Sequence, residues 1–322
     1  MSAASGNARR FDLTLAGETN LDLILDGLPE EMPTERELLA SGFTTTLGGS
    51  SSILAHNLGM LGSRVGFCTE IGEDELGGVA HRLLASSEID LSTLRVRAGA
   101  TTGVTVLLPH GAHRHILTYA GVMAEMRVGD LDRGYVENAR HFHLSSLFLQ
   151  TGLHEGLPEL FEQLRRAGLT ISLDTNDDPA GEWSGVLEPL LDRIDVLLPN
   201  EGELLRIARV ATVAEALDTL SARVPLIVVK CGRRGAVVQQ GSKRTWIDPL
   251  TVEAIDTIGA GDSFNAGFLH AYLRGSSVEN AAAFGNVTGA LSTQRAGGVQ
   301  AFREPELLTA FLKKHDIQNG RR

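Results

Sequence analysis

Two cysteines in 322 residues give no basis for a disulfide scaffold. Cys68 and Cys231 fall in apolar runs that read as strands, so a reduced, buried state is expected for both. Aromatic residues are sparse at 5 %, and a hydrophobic share of 43 % is ordinary for a soluble globule. A basic surplus is missing. The formal net charge of −11 removes the footprint a nucleic-acid binder needs, yet a locally positive site could still take an anionic substrate. No apolar run reaches membrane-spanning length, and the opening MSAASGNARR lacks the apolar core of a signal peptide. The expectation is a cytoplasmic protein with neither membrane nor nucleic acid as partner. Two nucleotide motifs are absent as well. Without Gly-x-x-x-x-Gly-Lys-Ser/Thr a P-loop mechanism has no support, and the first strand runs into GETNLD where a dinucleotide fold wants Gly-x-Gly-x-x-Gly.

What is plentiful is glycine, 36 residues without a repeat period, which implies tight turns and close backbone approaches. Short apolar runs alternate with segments of helical period. The strand-like runs are 11–17, 64–72, 170–176, 195–200 and 226–232, and helices are predicted near 51–61, 76–86, 152–167, 201–208, 212–222, 262–274, 278–294 and 305–314. That rhythm predicts an α/β fold with a mostly parallel central sheet covered by helices on both faces. Ligands then bind beyond the carboxyl ends of the strands, where Asn20, Asp174, Asn200 and Gly232 fall. Residues 18–47 and 95–120 break the rhythm, the second with a hairpin signal around PHGAHR, and together they predict a small β-lid. The expected organisation is one domain over 11–315 with this lid inserted, and loose tails at 1–10 and 316–322.

The stretch AIDTIGAGDSF, residues 254–264, carries the chemistry. Gly259, Ala260 and Gly261 strip side chains from the mouth of a helix, whose first amides lack internal partners and carry the positive end of its dipole. An anion could be held there, with Asp262 beside it to accept a proton from an attacking hydroxyl. The plainer alternative is a glycine-rich turn with Asp262 as cap. Elsewhere HRH (113–115) and HFH (141–143) place paired imidazoles on one side of a strand, without further metal ligands at useful spacing. Lid surface is expected for the first pair, and a strand edge near the substrate for the second.

DTIGAGDSFNAGF resembles the C-terminal signature of the ribokinase/PfkB family of sugar and nucleoside kinases. LAGETNLDLIL, the LGGSSSILAHNLG region, NEGE and VVKCGRRGAVV resemble further family segments in the same order. The resemblance implies a Rossmann-like ribokinase fold with a β-lid, often dimerised through that lid. It also implies transfer of the γ-phosphoryl group of ATP to a hydroxyl of a small sugar. Asp262 matches the family's base and the Gly259–Asp262 amides its anion hole. Asn200 and Glu203 match the pair that organises Mg²⁺ through water, although the same spacing is a capping box. Lys230, Gly232, Gly235 and Asn286 fall on the nucleotide side. Lys230 could reach a phosphate or be a solvated strand end, and the two glycines read as close backbone approach to nucleotide. Asn20, Asp22, Gly48 and Gly49 match the acceptor side. Asp256 matches a residue that helps hold a monovalent cation, K⁺, in some members, with Ile258, Ser292, Arg295 and Gly297 supplying backbone oxygens.

Three positions depart from the family pattern. Ile53 stands where the family has Asn, so one acceptor contact is lost or passed to Ser50, Ser51 or Ser52. Asp178 replaces an arginine used for acidic sugars, with Arg114 on the lid as a substitute. Ala301 lacks the hydroxyl of the last cation ligand, which leaves K⁺ dependence open. A nucleoside kinase on the same scaffold is the nearest alternative, with Phe43, Ile53, Met123 and Phe148 as candidate contacts to a base. A catalytically silent sugar- or nucleotide-binding protein is the second.

Overall fold

The computed structural model describes residues 9–111 and 113–315. Along the chain, β1 (Phe11–Ala16), β2 (Asn20–Asp26) and β3 (Gly42–Gly48) precede helix α1 (Ser50–Met60). Strands β4 (Val65–Cys68) and β5 (Glu70–Gly72) lead to α2 (Glu75–Ala85), followed by β6 (Arg95–Arg97), β7 (Gly103–His110) and β8 (His113–Tyr119). The middle of the chain holds α3 (Arg133–Val136), β9 (Ala139–Leu144), α4 (Thr151–His154), α5 (Leu157–Arg166), β10 (Thr170–Leu173) and β11 (Val196–Leu197). After α6 (Glu201–Ala208) and α7 (Val213–Leu220) come β12 (Leu226–Lys230), β13 (Ala236–Gln240) and β14 (Lys243–Ile247). Helices α8 (Ala260–Tyr272), α9 (Val278–Ser292) and α10 (Pro305–Lys314) close the chain.

The apolar runs become an eight-stranded sheet of order β14-β13-β12-β11-β10-β9-β1-β4. It is parallel from β4 through β12, and β13 and β14 add antiparallel strands at one edge. Alternate side chains of each strand enter two separate cores. Ile227 and Val229 pack with Phe142, Phe161 and Leu204 on one face, while Val228 packs with Leu13, Phe67 and Phe268 on the other. A strand buried on both faces must be apolar throughout. Phe142 is fully buried, and its truncation to alanine should cost about 3–5 kcal/mol.

Strand β9 is the exception. His141 and His143 lie inside the sheet between β1 and β10, fully buried, and not at a strand edge near the substrate as the sequence suggested. Their nitrogens find hydroxyls instead: His141 pairs with Thr170 (2.7 Å) and Ser172 (2.7 Å), and His143 with Ser172 (2.6 Å) and Ser145 (2.8 Å). Burial keeps both rings neutral, pushing each down to about 3.

The second sheet, of order β3-β2-β7-β8, lies outside the main one. It supplies a lid, with the hairpin β7–β8 turning at the PHGAHR segment. Residues 95–97, assigned to the lid by sequence, pair instead with 70–72 in a separate ribbon. The single helix expected at 152–167 is broken into α4 and α5 at Gly156 (φ 91°), with Pro158 opening the second helix. Of the expected tails, 1–8 and 316–322 lie outside the described residues, while Arg9 donates to the carbonyls of Glu137 (2.7 Å), Ala139 (2.6 Å) and Ala167 (2.5 Å).

Candidate active site

The carboxyl ends of β10, β11 and β12 converge with the start of α8 on one edge of the sheet. Helix α8 begins at Gly259, whose φ of 69° lies in the left-handed region. A Cβ there would meet the Gly298 Cα at 2.5 Å, so glycine is required twice over. The Ala260 amide turns back to the Thr257 carbonyl at 3.3 Å. The amides of Gly259, Gly261 and Asp262 have no acceptor among the described residues, which leaves three donors at the positive end of the helix. Asp262 stands in that first turn, buried. Burial first, then the charge of Asp174, pushes its carboxyl up to about 6, against Lys230 and the Ser50 hydroxyl.

Lys230 is neither solvated nor free. Its ammonium meets Asp174 Oδ2 at 2.5 Å with 12 % of the side chain exposed, and Asn265 Nδ2 donates to the same oxygen at 2.5 Å. Burial works against the lysine's charge, but Asp174 and Glu203 outweigh it, so its pKa is raised. A Cβ on Gly261 would lie 3.7 Å from the ammonium, which places this cation beside the open amides. Next to it, Asn200 and Glu203 form the capping box of α6: Asn200 Oδ1 accepts from the Glu203 amide (2.9 Å) and Glu203 Oε2 from the Asn200 amide (2.8 Å). Burial and then Asp174 push Glu203 up to about 7. A carboxylate so placed favours a nearby cation.

Asn20 and Asp22 follow the first strand and open β2 in the lid sheet, paired with Gly48 and Thr46. Asn20 Nδ2 donates to Thr105 Oγ1 (2.8 Å), and its Oδ1 is buried without a partner. Asp22 is 5 % exposed and makes no hydrogen bond among the described residues. Burial first, then Asp262 and Asp256, pushes it up to about 7. The glycine pair lies directly against these side chains: a Cβ on Gly48 would meet Asp22 Oδ1 at 1.9 Å, and one on Gly49 would meet Asn20 Oδ1 at 2.7 Å. Ile53 packs on Gly298 and Gly259, so it backs the turn that opens α8. Of the three serines that could replace its lost contact, Ser51 donates to Glu18 (2.6 Å) and Ser52 to the Gly48 carbonyl. Ser50 accepts from Asn176 Nδ2 (2.9 Å), which leaves its proton for Asp262.

On the nucleotide side, Gly232 (φ 55°) has open space around it, as close approach by a ligand requires. Gly235 (φ 82°) does not fit that explanation. A Cβ there would strike the Ile247 carbonyl at 2.1 Å, so packing of the turn before β13 against the end of β14 and the loop after it accounts for it. Asn286 donates to the Asp248 carbonyl at 2.9 Å, tying α9 to that loop. Asp256 accepts from the amides of Ile258 (3.0 Å) and Gly297 (2.8 Å), clamping together the loops that flank the start of α8. Asp178 accepts from the amides of Ala180 (3.0 Å), Glu182 and Trp183 (both 2.8 Å) and shapes its own turn. The residues that sequence reasoning left out are Glu18, Gln150, Asn176 and Asn265. Glu18 and Asn265 stand inside motifs quoted above, but the partners that give them a place in the site are distant in the chain.

The fold matches solved kinases over nearly its whole length. A structure described as a candidate ribokinase II from E. coli in complex with ATP and Mg²⁺ superposes with a TM-score of 0.83 at 20 % identity, covering 95 % of this chain and all of that one. Adenosine kinase from Sinorhizobium meliloti gives 0.81 at 20 % identity, over 95 % and 99 % of the two chains. The architecture is therefore the ribokinase fold. In sequence, an ATP-dependent ribose-1-phosphate kinase from Halopiger xanaduensis is 30 % identical over 93 % of this chain and 97 % of its own. Residues 11–304 match the model of the pfkB family of carbohydrate kinases. The chain belongs to that family, whose members are phosphotransferases with an alcohol group as acceptor. Among the described residues no helix is long and apolar enough to cross a membrane.

Proposed function

We propose that this protein transfers the γ-phosphoryl group of ATP to a hydroxyl of a small sugar, with Asp262 as general base. The carrying observation is the start of α8, where three amides without acceptors among the described residues stand beside a buried carboxylate whose charge reaches Asp22, itself packed against Gly48. Phosphoryl transfer is mainly positioning and charge stabilisation, so backbone donors with one base are a sufficient kit. Gly259, Gly261 and Asp262 supply the donors, and Lys230 adds a fixed positive charge within reach of them. Asp262, with a proton affinity near neutrality, accepts the acceptor's proton as the bond to phosphorus forms. Gly232 and Asn286 border the nucleotide.

Among the described residues no group of three His, Cys, Asp or Glu closes around a metal. The donors nearest the phosphates, Glu203 and Asn200, suit Mg²⁺ held through water and phosphate oxygens. When bound, the ion neutralises charge on the triphosphate. A second copy of the chain fits the lid: β8 is exposed at every residue, with Ile116, Leu117 and Tyr119 more than half exposed on an edge strand whose outer side has no partner strand among the described residues.

The test is ADP release with ATP, Mg²⁺ and a panel of sugars and nucleosides. Release should depend on one class of acceptor and disappear with excess chelator. Equal release with and without acceptor, or with and without chelator, would contradict the reading.

A further inference from the structure

The acceptor side of the site is walled by carboxylates and short of cations. Glu18, 2 % exposed, lies between the lid and the start of α1. Its Oε1 accepts from the Ser51 amide (3.2 Å) and Ser146 Oγ (2.8 Å), and its Oε2 from Ser51 Oγ (2.6 Å) and Gln150 Nε2 (2.5 Å). Four donors fix this carboxylate behind the glycine pair, where a Cβ on Gly49 would meet Glu18 Cγ at 3.1 Å. Its charge reaches Asp262. Asp22 and Asp256 complete the ring, each within range of the other. The partnerless Asn20 Oδ1 is aimed at the same glycines and accepts a hydrogen bond only, so it wants a hydroxyl from the ligand.

Two cations border this ring, and each already has a partner. Lys230 is paired with Asp174. Arg114 on the lid donates to Thr257 Oγ1 at 3.4 Å, next to Asp256. Position 178, where a basic residue would serve an acidic sugar, is the aspartate that caps its own turn. An anionic acceptor would therefore meet more like charge than opposite charge beside the glycine pair, which discriminates against it more strongly than a missing contact would.

Resting on the kinase reading above, we propose that the pocket selects uncharged polyhydroxy acceptors and rejects sugar phosphates and sugar acids, with Glu18 as the residue that sets the selection. It acts through its field, while its bonds to Ser51, Ser146 and Gln150 fix where the charge sits.

The experiment compares kcat/KM for ribose, fructose and adenosine with that for ribose 5-phosphate, fructose 6-phosphate and 2-dehydro-3-deoxygluconate. The best neutral acceptor should exceed the best anionic one by about a hundredfold or more, as two nearby like charges require. An anionic acceptor that equals or exceeds the neutral ones overturns the selection while leaving the kinase reading intact. Silence with every acceptor overturns both. Glu18→Gln removes the charge and keeps the shape, and should narrow the neutral-to-anionic ratio by about tenfold. Ser51→Ala removes a donor and keeps the charge, so it should leave the ratio unchanged whatever it does to the absolute rate. A ratio that stays fixed in Glu18→Gln, or that shifts equally in Ser51→Ala, shows Glu18 to be structural only and sinks its role.

Discussion

The two halves of this site, proposed above to hold the phosphate and the acceptor, are built on opposite principles. The phosphate half is a continuous piece of chain, Gly259–Asp262, in which backbone donors are left open by the geometry of a helix end. Its one ammonium is locked to Asp174. The acceptor half is gathered from β2, the β3–α1 turn and loops more than a hundred residues away, and it presents carboxylates and a bare carbonyl oxygen. On the proposed reading, positive donors face the nucleotide and acceptors face the alcohol. A charged donor and a neutral hydroxyl can be told apart by such a division without any large rearrangement of side chains.

Substitutions should separate the halves. Lys230→Met leaves Asp174 buried without its cation. Breaking such a pair should cost about 3–5 kcal/mol of stability in denaturant titration, and the loss of positive charge beside the hole should lower turnover by about a hundredfold. A variant of undiminished stability would show the pair to be dispensable and weaken the contrast. Asp22→Asn should instead raise the acceptor KM by about tenfold, the loss of one charge-assisted hydrogen bond, with the ATP KM unmoved. Equal changes in both constants would mean that the halves are not separate.

The smallest effect is in pH. Asp262 must be ionised to act as base, and its carboxyl is raised from 3.8 to about 6. The active form is therefore present above that value and lost below it. The acid limb of kcat/KM should bend near pH 6 and fall about tenfold per unit beneath it, since kcat/KM reports the free enzyme. A limb near pH 4 would place the base in a solvated environment and contradict its burial. Asp22 and Glu203, both raised to about 7, would steepen the fall if their charged forms are also needed.

How much of this could be read in the sequence follows the same division. The phosphate half was legible because its residues are contiguous and their order carries the geometry: a glycine turn, a carboxylate and an apolar helix face. The boundaries of α10 and the presence of the parallel strands followed from periodicity for the same reason, although the run 64–72 divides into β4 and β5 and that at 195–200 shortens to β11. The acceptor half was legible only at Asn20, Asp22, Gly48 and Gly49. Glu18 was overlooked because its role depends on Ser146 and Gln150, 128 and 132 positions away. The paired histidines of β9 misled because alternation identifies a shared face but not what covers it, and here it is the hydroxyls of Thr170 and Ser172. Gly235 misled because a glycine needed for close approach does not say which chain approaches.

The central claim is that the open amides hold the transferred phosphoryl group while Asp262 serves the acceptor, and Asp262→Asn separates the two directly. Calorimetric affinity for ATP and Mg²⁺ should change by less than about threefold, because the donors remain, while acceptor-dependent turnover falls by about a thousandfold or more. Wild-type turnover in that variant would remove Asp262 from the reaction, and a collapse of nucleotide affinity with it would show that the carboxylate belongs to the phosphate half after all.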